Sequence, residues 1–220
     1  MKLNRGEVLA VAGAICLLAA ASLTGYNALD AQRAARESAE ALSTVSEAIA
    51  TRDNADASVT TDNGATDTQA ENDAAQASAT VDDTAASDPD IGVTVDGVKY
   101  LGYLSVPTLK LELPVHAEWD DMRVQSAPCR YSGSIAGGAL VIGAHNYDKH
   151  FGGISKLAEG DVIVITDGNG AQHRYTVSAT EILRPDEVDA MKSDAWDLTL
   201  FTCTYGGQSR VTVRCLTAER

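Results

Sequence analysis

The C-terminal part of this 220-residue chain, residues 91–220, predicts an all-β domain, mainly antiparallel and closed into a barrel of seven or eight strands with short helices. Two observations carry that prediction. Short runs rich in Val, Ile, Leu, Thr and Tyr recur between residues 93 and 216, separated by turns rich in Gly, Asp and Asn. One of those turns, Asp167-Gly168-Asn169-Gly170, stands between two long alternating runs and has the composition of a tight hairpin.

Ahead of that domain the chain reads as three segments. Residues 1–26 form an N-terminal membrane anchor or signal segment: residues 8–23 carry no charge, and Lys2 and Arg5 precede them. A cleavable signal peptide fits the basic start and the small residues Ala19-Ala20-Ala21-Ser22. An uncleaved anchor with its positive end inside fits as well, and the helical continuation after it favours the anchor. Either way the remainder is expected outside the membrane. Residues 27–52, rich in Ala, Glu, Arg and Leu and free of Gly and Pro, predict a juxtamembrane stalk helix whose apolar positions are mostly alanine. Residues 53–90 hold almost no large apolar side chain, so they cannot offset the entropy of ordering and read as a disordered acidic linker.

Charge follows the same division. Of the net −14, most belongs to residues 26–95, where fourteen carboxylates face three cations (Arg33, Arg36 and Arg52). Residues 96–220 are nearly balanced, with sixteen carboxylates and twelve cations. Neither part forms a basic patch, which excludes nucleic acid as a partner.

Within the domain, residues 93–95 and 97–106 read as a hairpin-like pair, 111–115 as a short strand and 139–144 as a buried strand. Residues 161–166 and 173–183 are the arms of the Asp-Gly-Asn-Gly hairpin. Residues 199–203 and 210–216 are the last strands, joined by a Gly-Gly turn. Short helical pieces are expected at 119–124, 153–157 and 185–192.

The chemistry-bearing residues sit at strand ends. The alternating run Leu198-Thr199-Leu200-Phe201-Thr202 ends on Cys203, and Arg210 follows seven positions later. A second apolar run, Ala139-Leu140-Val141-Ile142-Gly143-Ala144, ends on His145. A thiol that an imidazole can deprotonate, with a planar guanidinium for a developing oxyanion, is the equipment of nucleophilic acyl transfer. Strand parity puts Arg210, Thr212 and Arg214 on one face of the last strand and Val211, Val213 and Cys215 on the core face. Arg214 is then either an alternative oxyanion donor or half of a surface ion pair. His150 rivals His145 but ends no strand; His116 and His173 read as ordinary strand or surface histidines. Cys16, Cys129, Cys203 and Cys215 contain no C-x-x-C pair, which argues against a zinc site and a disulfide scaffold. Cys129 and Cys215 read as free buried thiols rather than a bridge. Trp119 and Trp196 read as packing residues, the second near the groove. Asp120, Asp121, Glu159 and Asp161 read as solvated loop charges, so no cofactor is expected, with calcium left open.

The Thr199-Leu200-Phe201-Thr202-Cys203 run resembles the TLxTC signature of the sortases, the cysteine transpeptidases of Gram-positive cell surfaces. Arg210 opens the following strand, as in that family. Val141-Ile142-Gly143-Ala144-His145-Asn146, with Phe151 and Leu157-Ala158-Glu159-Gly160-Asp161, is similar to the family's histidine strand and the segment after it. Leu104-Ser105-Val106-Pro107 and Leu113-Pro114-Val115 resemble the opening of the domain, so the likeness spans residues 100–216 in order. The resemblance implies a sortase-type barrel in which Cys203 attacks the Thr–Gly bond of an LPxTG-like sorting signal and forms a thioester. His145 would protonate the leaving amine, Arg210 would hold the oxyanion or substrate backbone, and Thr202 would line the substrate groove. The implied partners are surface proteins or pilins bearing sorting signals, and an acceptor amine on a peptidoglycan precursor or a lysine. The implied location is the cell membrane, single-pass, with the catalytic domain outside. The loop between Cys203 and Arg210 is short and the stretch between Leu183 and Trp196 has room for only one small helix, which argues against the class with a long helix before the cysteine strand. Pro128-Cys129-Arg130-Tyr131 with Asn146-Tyr147 resembles that same class, which leaves the subclass open.

Two other readings remain. Another cell-wall Cys–His enzyme would carry a short S-H-G-C-type motif, absent here, or a cysteine that starts a helix ahead of its histidine. A non-catalytic surface β-barrel module would have no need of Cys203, His145 and Arg210 together.

Overall fold

The computed structural model describes residues 5–59 and 92–218. Helix α1 (Arg5–Val59) runs through both the uncharged N-terminal stretch and the Ala- and Glu-rich segment, since neither contains the proline that would break it. Its first part is long and apolar enough to cross a bilayer and is not buried against the rest of the chain. Its end overlaps the start of the segment expected as linker, and residues 60–91 lie outside the described residues.

The second half of α1 does not stand free as a stalk. Ala34, Ser38, Val45 and Ile49 are buried, at helical spacings that keep them on one face. Val45 and Ile49 pack with Val93 and Tyr100 of the β domain. Arg52 Nη1 donates to the carbonyls of Gly92 at 3.1 Å and Gly168 at 3.3 Å. Alanine, which looked too small to build a core, lets the helix lie close against the sheet.

The strands are β1 (Val93–Val95), β2 (Val98–Val106), β3 (Leu111–His116), β4 (Cys129–Ser134), β5 (Gly138–Ala144), β6 (Val162–Asp167), β7 (Gln172–Leu183), β8 (Leu198–Cys203) and β9 (Arg210–Thr217). Their order is β1-β2-β3-β4-β5-β8-β9-β7-β6, and a further β2–β6 pairing closes the sheet. Eight strands thus form the barrel, with β1 hanging on β2 outside it. All pairings are antiparallel except β3–β4 and β5–β8. At the closing seam Gly102 adopts φ +142°, and a Cβ there would overlap the Thr166 backbone carbonyl, so only glycine lets β2 approach β6.

Alternating residues of β5, β6 and β8, among them Leu140, Ile142, Ile163, Ile165, Leu198 and Leu200, fill the interior and are fully buried. Strand β4 was not expected from sequence, since Cys-Arg-Tyr-Ser-Gly-Ser lacks apolar alternation. The expected helical pieces reduce to 3-10 turns at Arg123–Gln125 and Phe151–Lys156 and the one-turn helix α2 (Val188–Met191).

Parity holds on β9: Val213 and Cys215 face the core. The opposite face is not open, however. Arg214 is 2% exposed and covered by α2, so the expected ion pair forms, with Glu181, but with its guanidinium buried rather than on the surface. Its Nε donates to Glu181 Oε1 at 2.6 Å, Nη1 to Thr199 Oγ1 at 2.9 Å and Met191 O at 3.1 Å, and Nη2 to Ala190 O at 2.6 Å. With its donors spent on this network, Arg214 cannot serve as the oxyanion donor.

Two histidines are buried as well. His116 stacks at 4.7 Å on Tyr100, which itself packs against α1. His150 is 1% exposed and lies beside the Ala34 and Ser126 backbones, short of hydrogen-bond geometry. Burial, reinforced by Arg123, pushes the His116 imidazole down to about 4, and burial with His145 does the same to His150, also to about 4. The unfolded chain therefore takes up these protons first. Their contribution is complete above about pH 6.5 and is lost as pH falls through about 4, by about 3 kcal/mol per histidine. A thermal melting series is expected to show Tm falling across that window, and His116→Phe with His150→Leu is expected to flatten the fall. A wild-type Tm constant from neutral pH down to the lower limit would contradict it.

Candidate active site

The site is built by one parallel pairing. Strands β5 and β8 run side by side in register, from Leu140 opposite Leu198 to Ala144 opposite Thr202. The next residue on each, His145 and Cys203, therefore leaves the barrel at the same rim. Strand β9 pairs antiparallel with β8 and sets Arg210 opposite Cys203. Three residues from three adjacent strands thus line one cleft of about 560 Å³.

Aromatic rings shape the cleft. Trp119 meets Tyr131 edge-on at 5.3 Å, Tyr131 meets Phe201 edge-on at 5.6 Å, and Trp119 stacks over Phe201 at 6.1 Å. Gly143 makes room for them, since a Cβ there would sit 2.5 Å from Phe201 Cζ. Trp119 takes the groove position expected of Trp196, which is absent from the cleft walls.

His145 is half-buried and stacks on Tyr147 at 5.1 Å with an interplanar angle of 26°. Burial lowers the pKa of its imidazole, and the Asp30 carboxylate acts in the opposite direction. Asp30 comes from α1 and accepts a hydrogen bond from the Tyr147 hydroxyl at 2.5 Å. Burial, then that bond, pushes the Tyr147 phenol up to about 12.

Arg210 Nη1 donates to Gly207 O at 3.0 Å and Ser209 O at 3.1 Å, which pins the guanidinium on its own turn. Among the described residues no acceptor takes Nε or Nη2, so a fork remains for a ligand. Thr202, expected in the substrate groove, is 3% exposed, and its hydroxyl donates to Ala144 O at 2.8 Å. This bond ties β8 to β5 one residue before Cys203 and His145. The buried Thr202 instead borders a second cavity of about 140 Å³ that also reaches Cys203.

The other two thiols of the barrel, Cys129 and Cys215, are free and buried; burial raises Cys129 to about 11 and Cys215 to about 12, which keeps both protonated and inert. Asp120 accepts from the Met122 and Arg123 amides, and Asp161 from the Ala158 amide and Thr108 hydroxyl, so both loop carboxylates serve local turns. Among the described residues no group of three or more His, Cys, Asp or Glu is placed to hold a metal.

Sequence reasoning missed Asp30, Tyr147 and the Trp119–Tyr131–Phe201 cluster. A signal for the first was present: Asp30, Ala34 and Ser38 repeat every four positions and mark the face on which α1 docks.

A barrel that brings a thiol, an imidazole and a guanidinium to one rim through a parallel strand pair defines a narrow structural class. The family profile for the sortase domain matches residues 104–218, just over half of the chain, and the chain belongs to the sortase family. Sortase A of Bacillus anthracis is 27% identical over 133 residues, covering 56% of this chain and 63% of that protein. The chain thus spans somewhat less than two thirds of that relative's length. Sortase C1 of Streptococcus agalactiae superposes with a TM-score of 0.51 over 58% of this chain and 72% of the other, at 23% identity, a likeness of fold. Sortase C of Clostridium perfringens SM101 is 28% identical over 55% of this chain and 71% of the other, with a TM-score of 0.49.

Proposed function

We propose that this chain is a membrane-anchored sortase, a cysteine transpeptidase that cleaves an LPxTG-like sorting signal between Thr and Gly. The observation that carries the reading is the in-register parallel pairing of β5 and β8, which sets His145 beside Cys203 while β9 brings Arg210 opposite.

The chemistry follows from those groups. The Cys203 thiolate attacks the threonine carbonyl carbon, a C–S bond forms, and the Arg210 fork stabilises the oxyanion. The C–N bond to glycine breaks as His145 gives its proton to the leaving amine. An acceptor amine, from a peptidoglycan precursor or a lysine of another surface protein such as a pilin, then attacks the thioester. Its proton passes to His145, the C–S bond breaks and the thiolate is restored. Where water replaces the amine, the same steps amount to hydrolysis. The aromatic wall suits the leucine and proline of the sorting signal. Thr202 acts from behind, by tying the two strands whose ends carry the reacting pair. Anchoring by the apolar part of α1 would hold the barrel on the outer face of the membrane, with residues 53–90 outside as well.

The test is intact-mass spectrometry of the full-length protein after incubation with a panel of sorting-signal peptides. The expected result is a thioester on Cys203 with release of the peptide's C-terminal fragment. A Cys203 that reacts with an alkylating agent but acquires no acyl group from any peptide would contradict the proposal.

A further inference from the structure

We propose that Asp30, carried into the site by helix α1, is a positioning residue for His145: its carboxylate holds the Tyr147 ring against the imidazole and places a negative charge beside it. The inference rests on the reading of His145 and Cys203 as the reacting pair. Three observations support it. The Tyr147 hydroxyl donates to Asp30 Oδ2 at 2.5 Å, a charge-assisted bond that ties residues 117 positions apart. The Tyr147 ring, so held, lies over the His145 ring with centroids 5.1 Å apart. Asp30 also lines the same cleft as His145, Cys203 and Arg210, and the cleft retains about 560 Å³ with α1 docked, so the helix forms a wall of the site rather than a plug.

The docked position of Asp30 is over-determined. One turn further along α1, Ala34 is buried beside His150, and the His150 ring meets Tyr147 with centroids 5.6 Å apart. Ser38, Val45 and Ile49 continue that buried seam to the barrel's β1–β2 edge. The membrane helix and the reacting imidazole therefore belong to one packed unit, and the site is complete only when α1 is in place.

The consequence is electrostatic. The titratable groups facing His145 are Asp30 from α1, Tyr147 and His150 from its own loop, and Cys203 and Arg210 from β8 and β9; Asp121, Arg184 and Glu187 line other parts of the cleft. Burial disfavours the imidazolium, and Asp30 is the group that restores it. A carboxylate supplied from the membrane side thus favours the protonated imidazole that must face a thiolate.

The experiment uses the full-length chain in detergent micelles and needs no peptide. The titration of His145 is followed by NMR on isotope-labelled histidine, together with the rate of Cys203 alkylation by iodoacetamide. Asp30→Asn is expected to lower the His145 midpoint by about half a pH unit. It is also expected to slow alkylation at neutral pH about three-fold, and Asp30→Glu should restore both. A merely structural role would move neither. An unchanged His145 midpoint in Asp30→Asn overturns the proposal. So does a raised midpoint with faster alkylation, which would mean that α1 shields the site and that its release activates the thiol. Neither readout depends on a sorting signal, so failure of the peptide assay and failure of this one are separate outcomes.

Discussion

Cys203→Ala is expected to abolish sorting-signal cleavage, with kcat/KM falling by about 10⁴-fold or more, since no other group can form the acyl intermediate. The other thiols offer no rescue: Cys129 and Cys215 are buried on other strands and held protonated, and Cys16 lies in the apolar part of α1. The fold should be nearly unaffected. Cys203 is only partly buried, lies at the last position of β8, and pairs with Arg210 through backbone groups that alanine retains. Losing its sulfur is expected to cost under about 1 kcal/mol in urea unfolding. Cleavage of a peptide panel, with the unfolding curve measured on the same preparation, checks both halves. Retained turnover in a folded Cys203→Ala protein would remove the acyl-thiol mechanism.

Arg214→Ala is expected to have the largest effect on stability, about 3–5 kcal/mol. The side chain is buried between β9 and α2 and gives four hydrogen bonds, two of them to the Ala190 and Met191 carbonyls near the end of α2. Truncation leaves those carbonyls and the Thr199 hydroxyl without their donor in a space water enters with difficulty. It also frees the segment that brings Val188 and Met191 to the cleft wall. Arg214→Lys should recover little, because one ammonium cannot reach acceptors spread around a planar fork. Against a typical domain stability of about 5–15 kcal/mol, the loss is a large fraction. Urea midpoints of the two variants provide the measurement, and a change below about 1 kcal/mol for alanine would mean the network is not formed.

These two residues show how unevenly the site could be read in advance. Cys203 stood out because it ends an alternating run and follows a Thr-Leu-Phe-Thr sequence, both local features. Arg214 was placed on the correct face of β9 by parity, yet its surroundings were misread. Parity tells which way a side chain points and nothing about what covers it. The cover, α2, comes from residues 188–191, a single turn whose local pattern does not show where it docks. His116 is a strand histidine, as expected, but not a surface one: nothing local to a strand end shows that Tyr100, itself packed against α1, will stack on the imidazole. Asp30 lay further from view, in a segment whose alanines suggested a free stalk.

By itself, then, the sequence determined the β class of the domain, most of its strands, the Asp167–Gly170 hairpin, and Cys203, His145 and Arg210 as the residues to watch. Periodicity, turn chemistry and short motifs are local properties, which a linear reading captures. The tertiary structure alone decided that β5 and β8 are parallel neighbours, that Thr202 ties them across 58 positions, that Arg214 is buried, and that α1 brings Asp30 to Tyr147. Each of these is a contact between segments far apart in the chain, chosen by the packing of the whole barrel, and no local pattern encodes it.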